Sequence, residues 1–224
     1  MNVNMPAKKI TIPILIHVAG VYRHTEIHGK KERKKSDAWV RYIKKIIKKN
    51  KENTISELLD KSKPVFPKIT RAITSFGTYL DGDCHFEQQV LNIIHRNQKR
   101  FNLLQHLGFN NNSQNVGKSP LSNIELEFIV MGGELNNCHL TEFKDVLAWC
   151  VKNGGKFSRL TIILPAEGIF ESAVPADQVY NKYILHGSNY HDVFEKYIEA
   201  CHRYPTQIQI DHSQKSIVVT VIKK

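Results

Sequence analysis

The chain of 224 residues holds four cysteines, and none of them stands in a C-x-x-C pair. Cys84, Cys138, Cys150 and Cys201 are too widely spaced for a disulfide framework, which points to a reducing, cytoplasmic setting. Long apolar runs are also missing, and none approaches the ~18 residues of a membrane span. Lys8 and Lys9 precede a short apolar stretch, but Pro13 and His17 interrupt it and no small-residue cleavage site follows. A buried first strand is expected there instead of a leader. No P-loop, G-x-G-x-x-G or G-x-S-x-G pattern is present, which removes the common phosphate-cradling and serine-hydrolase signatures. Acidic residues are scarce in one half only. Residues 1–112 carry 21 Lys and Arg against 9 Asp and Glu, whereas residues 113–224 carry 11 against 12.

What is present describes a folded chain: 41% apolar and 24% charged residues, enough to bury a core without staples. The length fits a single α/β domain over 1–224. Two parts of it stand out, a basic helical segment at 20–67 and an insertion at 84–123 made of a helix and an Asn-rich loop.

The β-branched run at 9–19 predicts a strand, with Pro13 implying an edge or an irregularity because it lacks an N–H. A helix is predicted over 36–50, with Ser36 as N-cap and Trp39, Ile43, Ile46 and Ile47 on one face. A short helix is expected at about 54–61, ended by Pro64 and Pro67. Phe86, Val90, Ile94, Phe101 and Leu104 predict a longer helix over about 84–107, closed by Gly108. After the Asn110–Pro120 loop come a strand at 124–131, a glycine turn and a helix at about 139–153 ended by Gly154 and Gly155. Then follow a strand at 160–164, a helix at about 189–203, and strands at 206–211 and 216–222 joined as a hairpin. This order implies a three-layer α/β fold: a mainly parallel central sheet, helices on both faces, and a C-terminal antiparallel hairpin.

Residues 30–51 hold 11 basic and 2 acidic side chains, a density that suits an acidic partner. Lys30, Lys31, Arg33, Lys34, Lys35, Lys44, Lys45, Lys48 and Lys49 are the candidate contacts for nucleic acid, an anionic membrane or an acidic protein. If the Trp and Ile face of this helix is exposed, the helix is a membrane-surface segment. If that face is buried, the lysines remain outside as a phosphate-facing stripe. The bland alternative is a solvated face. Few aromatics are interleaved with the cations, which weighs against single-strand binding.

Ligands of open α/β sheets bind outside the carboxyl ends of strands, and the turn Gly132–Cys138 is such a place. Cys138 would lie at the first turn of the next helix, where free N–H groups stabilise a thiolate. The plain alternative is a small packing residue. On a strand His24, Glu26 and His28 would share one face as potential ligands, but a polar surface edge beside the lysine run is the preferred account of them. The adjacent pairs Cys84-His85 and Cys201-His202 diverge on helices, and Asp81 and Asp83 suit a cap. No metal and no cofactor are therefore expected.

The segment from Phe128 to Thr141, an apolar strand, a glycine turn and then Cys138, resembles the catalytic segment of the isochorismatase-like cysteine hydrolases. Ser75-Phe-Gly-Thr-Tyr-Leu-Asp81 is similar to the segment that follows the family's catalytic lysine, with Lys68 as the matching lysine one residue out of step. The family's Asp after the first strand has no counterpart here, and His139 stands where the family has a small apolar residue. The resemblance implies hydrolysis of a small amide, imide or ester through a thioester on Cys138, in an active or diverged form. Lys68 would polarise the site, and Glu134 would stand in for the missing acid. The competing expectation is a non-enzymatic bacterial interaction or effector-type protein binding a polyanion through its basic half. Both leave the oligomeric state open.

Overall fold

The computed structural model describes residues 7–16, 30–57, 72–73, 82–106, 121–132, 139–169, 188–213 and 216–224. Its strands are β1 (Lys8–Ile16), β2 (Ile55–Glu57), β3 (Ala72–Ile73), β4 (Ile124–Gly132), β5 (Arg159–Pro165), β6 (Thr206–His212) and β7 (Ser216–Lys223). Its α-helices are α1 (Lys30–Asn50), α2 (Gly82–His106), α3 (Leu140–Asn153) and α4 (Ser188–Ala200). Among the described residues, no helix is long and apolar enough to cross a membrane.

The strands form one mixed sheet in the order β3-β2-β1-β4-β5-β7-β6. The pairs β2–β3, β1–β2, β1–β4 and β4–β5 are parallel. β7 runs antiparallel to both β5 and β6, so the C-terminal hairpin is seated with its second strand inward. β1 and β4 pair along their whole length, from Lys8 opposite Ile124 to Ile16 opposite Gly132. The apolar run of β1 is near-continuous because its alternate residues meet two different cores, and a strand covered on both faces alternates little. Beside it, Glu127 accepts a hydrogen bond from the Thr11 hydroxyl and forms an ion pair with Lys9.

Two apolar cores meet this sheet. Ile10, Ile12, Ile14 and Ile16 of β1 belong to the larger one, with Phe128 of β4, Phe86, Val90 and Ile93 of α2, Phe143 and Leu147 of α3, and Tyr190 and Phe194 of α4. Leu15 belongs to the smaller one, with Met131 of β4 and Trp39, Val40, Ile43 and Ile47 of α1. Successive strand residues point to opposite sides, so Leu15 and its two neighbours are separated by the strand itself. Phe86, Phe128 and Trp149 make a mutual aromatic contact, with ring centroids 5.6–5.9 Å apart. Offset and edge-on aromatic pairs of this kind add about 0.5–1.5 kcal/mol beyond their burial.

Several expectations change. α1 begins at Lys30, six residues before the expected Ser36 cap. The run Lys30–Lys35 contains only good helix formers, so nothing stops the helix short of Gly29. Residues 55–57 are not helical, because Ile55 pairs with Ile14 of β1 and is buried, and tertiary pairing overrides the local pattern. β1 is an interior strand despite Pro13. Its ladder with the short β2 begins only at Ile14, so Pro13 falls just outside that pairing. Gly154 has an ordinary helical φ of −54°. A Cβ there would lie 2.8 Å from Thr206 Cγ2 and from Val221 Cγ1, so it is space and not backbone freedom that requires glycine. The Gly108 end of α2 and the Asn110–Pro120 loop lie outside the described residues.

Candidate functional site

α1 has two unlike sides. Trp39, Val40, Ile43 and Ile47 are buried, with Ile43 fully so. Trp39 Nε1 donates a 2.8 Å hydrogen bond to the Gly168 carbonyl, which ties the helix to the turn after β5. Gly168 is itself packed against Met131 and Pro165, with room for no side chain. Tyr42 is half-buried, and burial, helped by the nearby Glu167 carboxylate, pushes its phenol up from the ordinary value.

The other side of α1 is cationic. Arg41, Lys44, Lys45, Lys48 and Lys49 are all exposed, at the i, i+3, i+4, i+7, i+8 spacing of one helix face. Lys34 is exposed two turns earlier on the same face, and Lys51 is exposed just beyond the helix. Asp37, half-buried, is the acidic member of this face among the described side chains, and the exposed Glu52 follows the helix. Lys48 and Lys49 also suit the negative end of the helix dipole. Of the expected contacts, Lys34, Lys44, Lys45, Lys48 and Lys49 therefore share one exposed face. Lys30, Lys31, Arg33 and Lys35 lie on α1, with side chains outside the description. Arg41 was absent from the expected set, although its place three residues before Lys44 could have found it.

The second location is the reversal of strand order between β1 and β4. Sheets wound outward from such a point open a crevice at the carboxyl ends of the two strands, here Ile16 and Gly132. Gly132 has a φ of 94°, a conformation that favours glycine. His139, just before α3, is fully buried, and its Nδ1 lies 2.6 Å from the Tyr190 hydroxyl of α4. Burial pushes the imidazole down to about 4, against a small opposing pull from the Val130 carbonyl. The pair thus joins a neutral imidazole to a phenol that burial pushes well above its ordinary value. Sequence spacing offered no signal for this pair, because its members are 51 residues apart. Cys138, Glu134 and Lys68 lie outside the described residues, as do His24, Glu26 and His28, so the expected hydrolase constellation has no described geometry.

Cys150 and Cys201 are packing residues. Cys150 is fully buried in α3, and burial raises its thiol well above the ordinary value. Cys201 is buried and receives a 3.8 Å contact from the Thr206 hydroxyl. His191, Asp192 and Glu195 bring three ligating atoms within 4.8 Å of one another on α4, but all three are exposed. A solvated surface pair, His191 with Glu195 at 3.4 Å, accounts for that cluster. A cavity of about 230 Å³ between α3 and α4 is lined by Trp149, Lys152, Tyr197 and Arg203. It is smaller than the ~300–1,000 Å³ usual for ligand pockets. No family model, no curated protein and no solved structure matches the chain.

Proposed function

We propose that the protein is a non-enzymatic interaction protein that binds a polyanion through the outer side of α1. One observation carries this reading: the apolar side of α1 is buried, while Arg41, Lys44, Lys45, Lys48 and Lys49 form one exposed row. A helix that has committed Trp39 and Ile43 to a core has no apolar side left to lay into a bilayer. The same reading takes the fold as three layers, with α1 on one face of the sheet and α2, α3 and α4 on the other. It also takes the setting as cytoplasmic, in keeping with the buried free thiols of Cys150 and Cys201.

The test is binding to heparin, DNA and anionic vesicles at two salt concentrations. Binding that weakens steeply with salt is expected, together with its loss when Lys44, Lys45, Lys48 and Lys49 are changed to Glu. These are exposed positions, so each change should alter stability by only about ±0.5 kcal/mol. No binding to any of the three at low salt would return the row to a solvated face.

The reversal of strand order favours a second reading, a small-molecule site at the carboxyl end of β4. There Cys138 would attack the carbonyl of a small amide, imide or ester, expel the amine or alcohol, and leave a thioester for water to cleave. Lys68 would polarise the site, Glu134 would handle the proton, and backbone N–H groups near Asn137 and Cys138 would hold the oxyanion. Alkylation of Cys138 by iodoacetamide as a function of pH tests it. The reading needs a thiol pKa below the usual ~8.5 and hydrolysis that disappears in Cys138→Ala. An unshifted thiol together with no hydrolysis would end it.

A further inference from the structure

We infer that the polyanion is a nucleic-acid duplex, gripped along the phosphates of one strand without base readout; this rests on the reading of α1 given above. Three observations narrow the partner.

The first concerns stacking. Proteins that hold single strands offer exposed aromatic platforms along a cationic groove. Among the described residues, the exposed large apolar side chains are Leu91, Ile198 and Tyr204, and none of them is on α1. The aromatics of α1 itself are engaged elsewhere, Trp39 in the core with its N–H on Gly168, and Tyr42 half-buried beside it.

The second concerns base readout. Base edges are read best by the paired donors and acceptors of Arg, Asn and Gln. α1 is seated on the sheet by Trp39, Val40, Ile43 and Ile47, so only its outer arc is available. Among the exposed residues of that arc one such side chain, Arg41, stands among lysines.

The third concerns length and chemistry. From Lys34 to Lys49 the row runs about 22 Å at 1.5 Å per residue. A strand winds around the duplex, so its phosphates recur every ~3.4 Å along the axis but lie about 7 Å apart along the strand itself, and a straight row of this length faces roughly three or four of them. Lysine dominates it, and lysine is a point charge that suits phosphates better than the bidentate edges of bases. With Asp37 offsetting part of the charge, about three or four contacts are expected.

The experiment is fluorescence anisotropy of the full chain with two short duplexes of unrelated sequence and the matching single strands. Phosphatidylserine vesicles and polyglutamate provide further arms. Both duplexes should bind within about 3-fold of each other, and the single strands about 10-fold more weakly. The slope of log K against log salt should lie between about −2.7 and −3.6, at about 0.9 per phosphate contact. Lys44→Glu with Lys48→Glu should weaken duplex binding about 100-fold, while Lys44→Arg with Lys48→Arg keeps it. Lys152→Glu, an exposed change on α3, should leave it unaltered. Single strands binding as tightly as duplex, or a sequence preference above about 10-fold, would overturn the inference. So would binding confined to vesicles or polyglutamate, which still upholds the polyanion reading of α1. Absence of binding in every arm would overturn both.

Discussion

His139 is a titratable ring in a place that admits no charge. Its imidazole titrates near 4 in the fold against 6.5 for a free side chain. The folded state therefore binds fewer protons than the unfolded chain between those values. The contribution is fully present above about pH 6.5 and is lost as the pH falls toward 4. Between pH 7 and 4.5 this amounts to about 2 kcal/mol. Urea denaturation should show that loss in the wild type, and His139→Phe should reduce the drop by about that amount. An equal drop in both proteins would assign the acid sensitivity to the carboxylates. Gly154 gives a second expectation at this scale. Gly154→Ala should destabilise by about 1–3 kcal/mol, because overpacking against Thr206 and Val221 cannot be relieved by one flexible tip. Thermal denaturation measures it. Neither effect was legible in the sequence. His139 read only as a departure from a motif, and Gly154 as a helix stop, because their partners Tyr190, Thr206 and Val221 lie far along the chain.

Among the elements, α1 was the most legible and also the most incompletely read. The spacing of Trp39, Ile43 and Ile47 identified its buried side, since that pattern is local. Its start was missed because a run of lysines carries no cap signal. The two sides of α1 should respond to mutation very differently. Trp39→Ala should cost about 3–5 kcal/mol, from the loss of a buried indole and its hydrogen bond to Gly168. Arg41→Ala should stay within about 0.5 kcal/mol. Comparable costs for both in chemical denaturation would mean that α1 is not seated as described. β2 was misread because three residues carry too little periodicity, and its strand character comes from β1 pairing alongside it. The segment that carries Cys138, the heart of the hydrolase expectation, has no described geometry against which the resemblance could be set.

For the whole molecule, the pairing of β4 with β5 in a mainly parallel sheet and the C-terminal hairpin were legible from apolar runs and loop lengths, whereas the interior place of β1 beside β4 was not, because Pro13 read as an edge signal. The inward seat of β7 was not, because a hairpin pattern leaves open which strand meets the sheet. The uneven charge, by contrast, is plain in composition and reappears as the exposed row of α1. Cations repeated at i+3 and i+4 repel one another, by about 0.2–0.5 kcal/mol per pair in low salt. Unfolding should therefore be postponed by moderate salt, and more strongly by a bound polyanion. Heparin at about 100 times its dissociation constant should add about 2.7 kcal/mol to stability. The reversal of the four lysines should abolish that gain in a thermal shift assay.

The seat of β7 bears on how the chain assembles during synthesis. β6 leaves the ribosome before β7, yet its place in the sheet is beside β7 alone. Until residues 216–223 emerge, β6 has no docked neighbour, and β5 presents an open edge backed by Leu160, Ile162 and Leu164. Completion of the sheet is thus a late step that waits for one short strand to slide between two others. A nascent chain stalled before Ser216 would expose an edge of the kind on which strands from other chains nucleate aggregation.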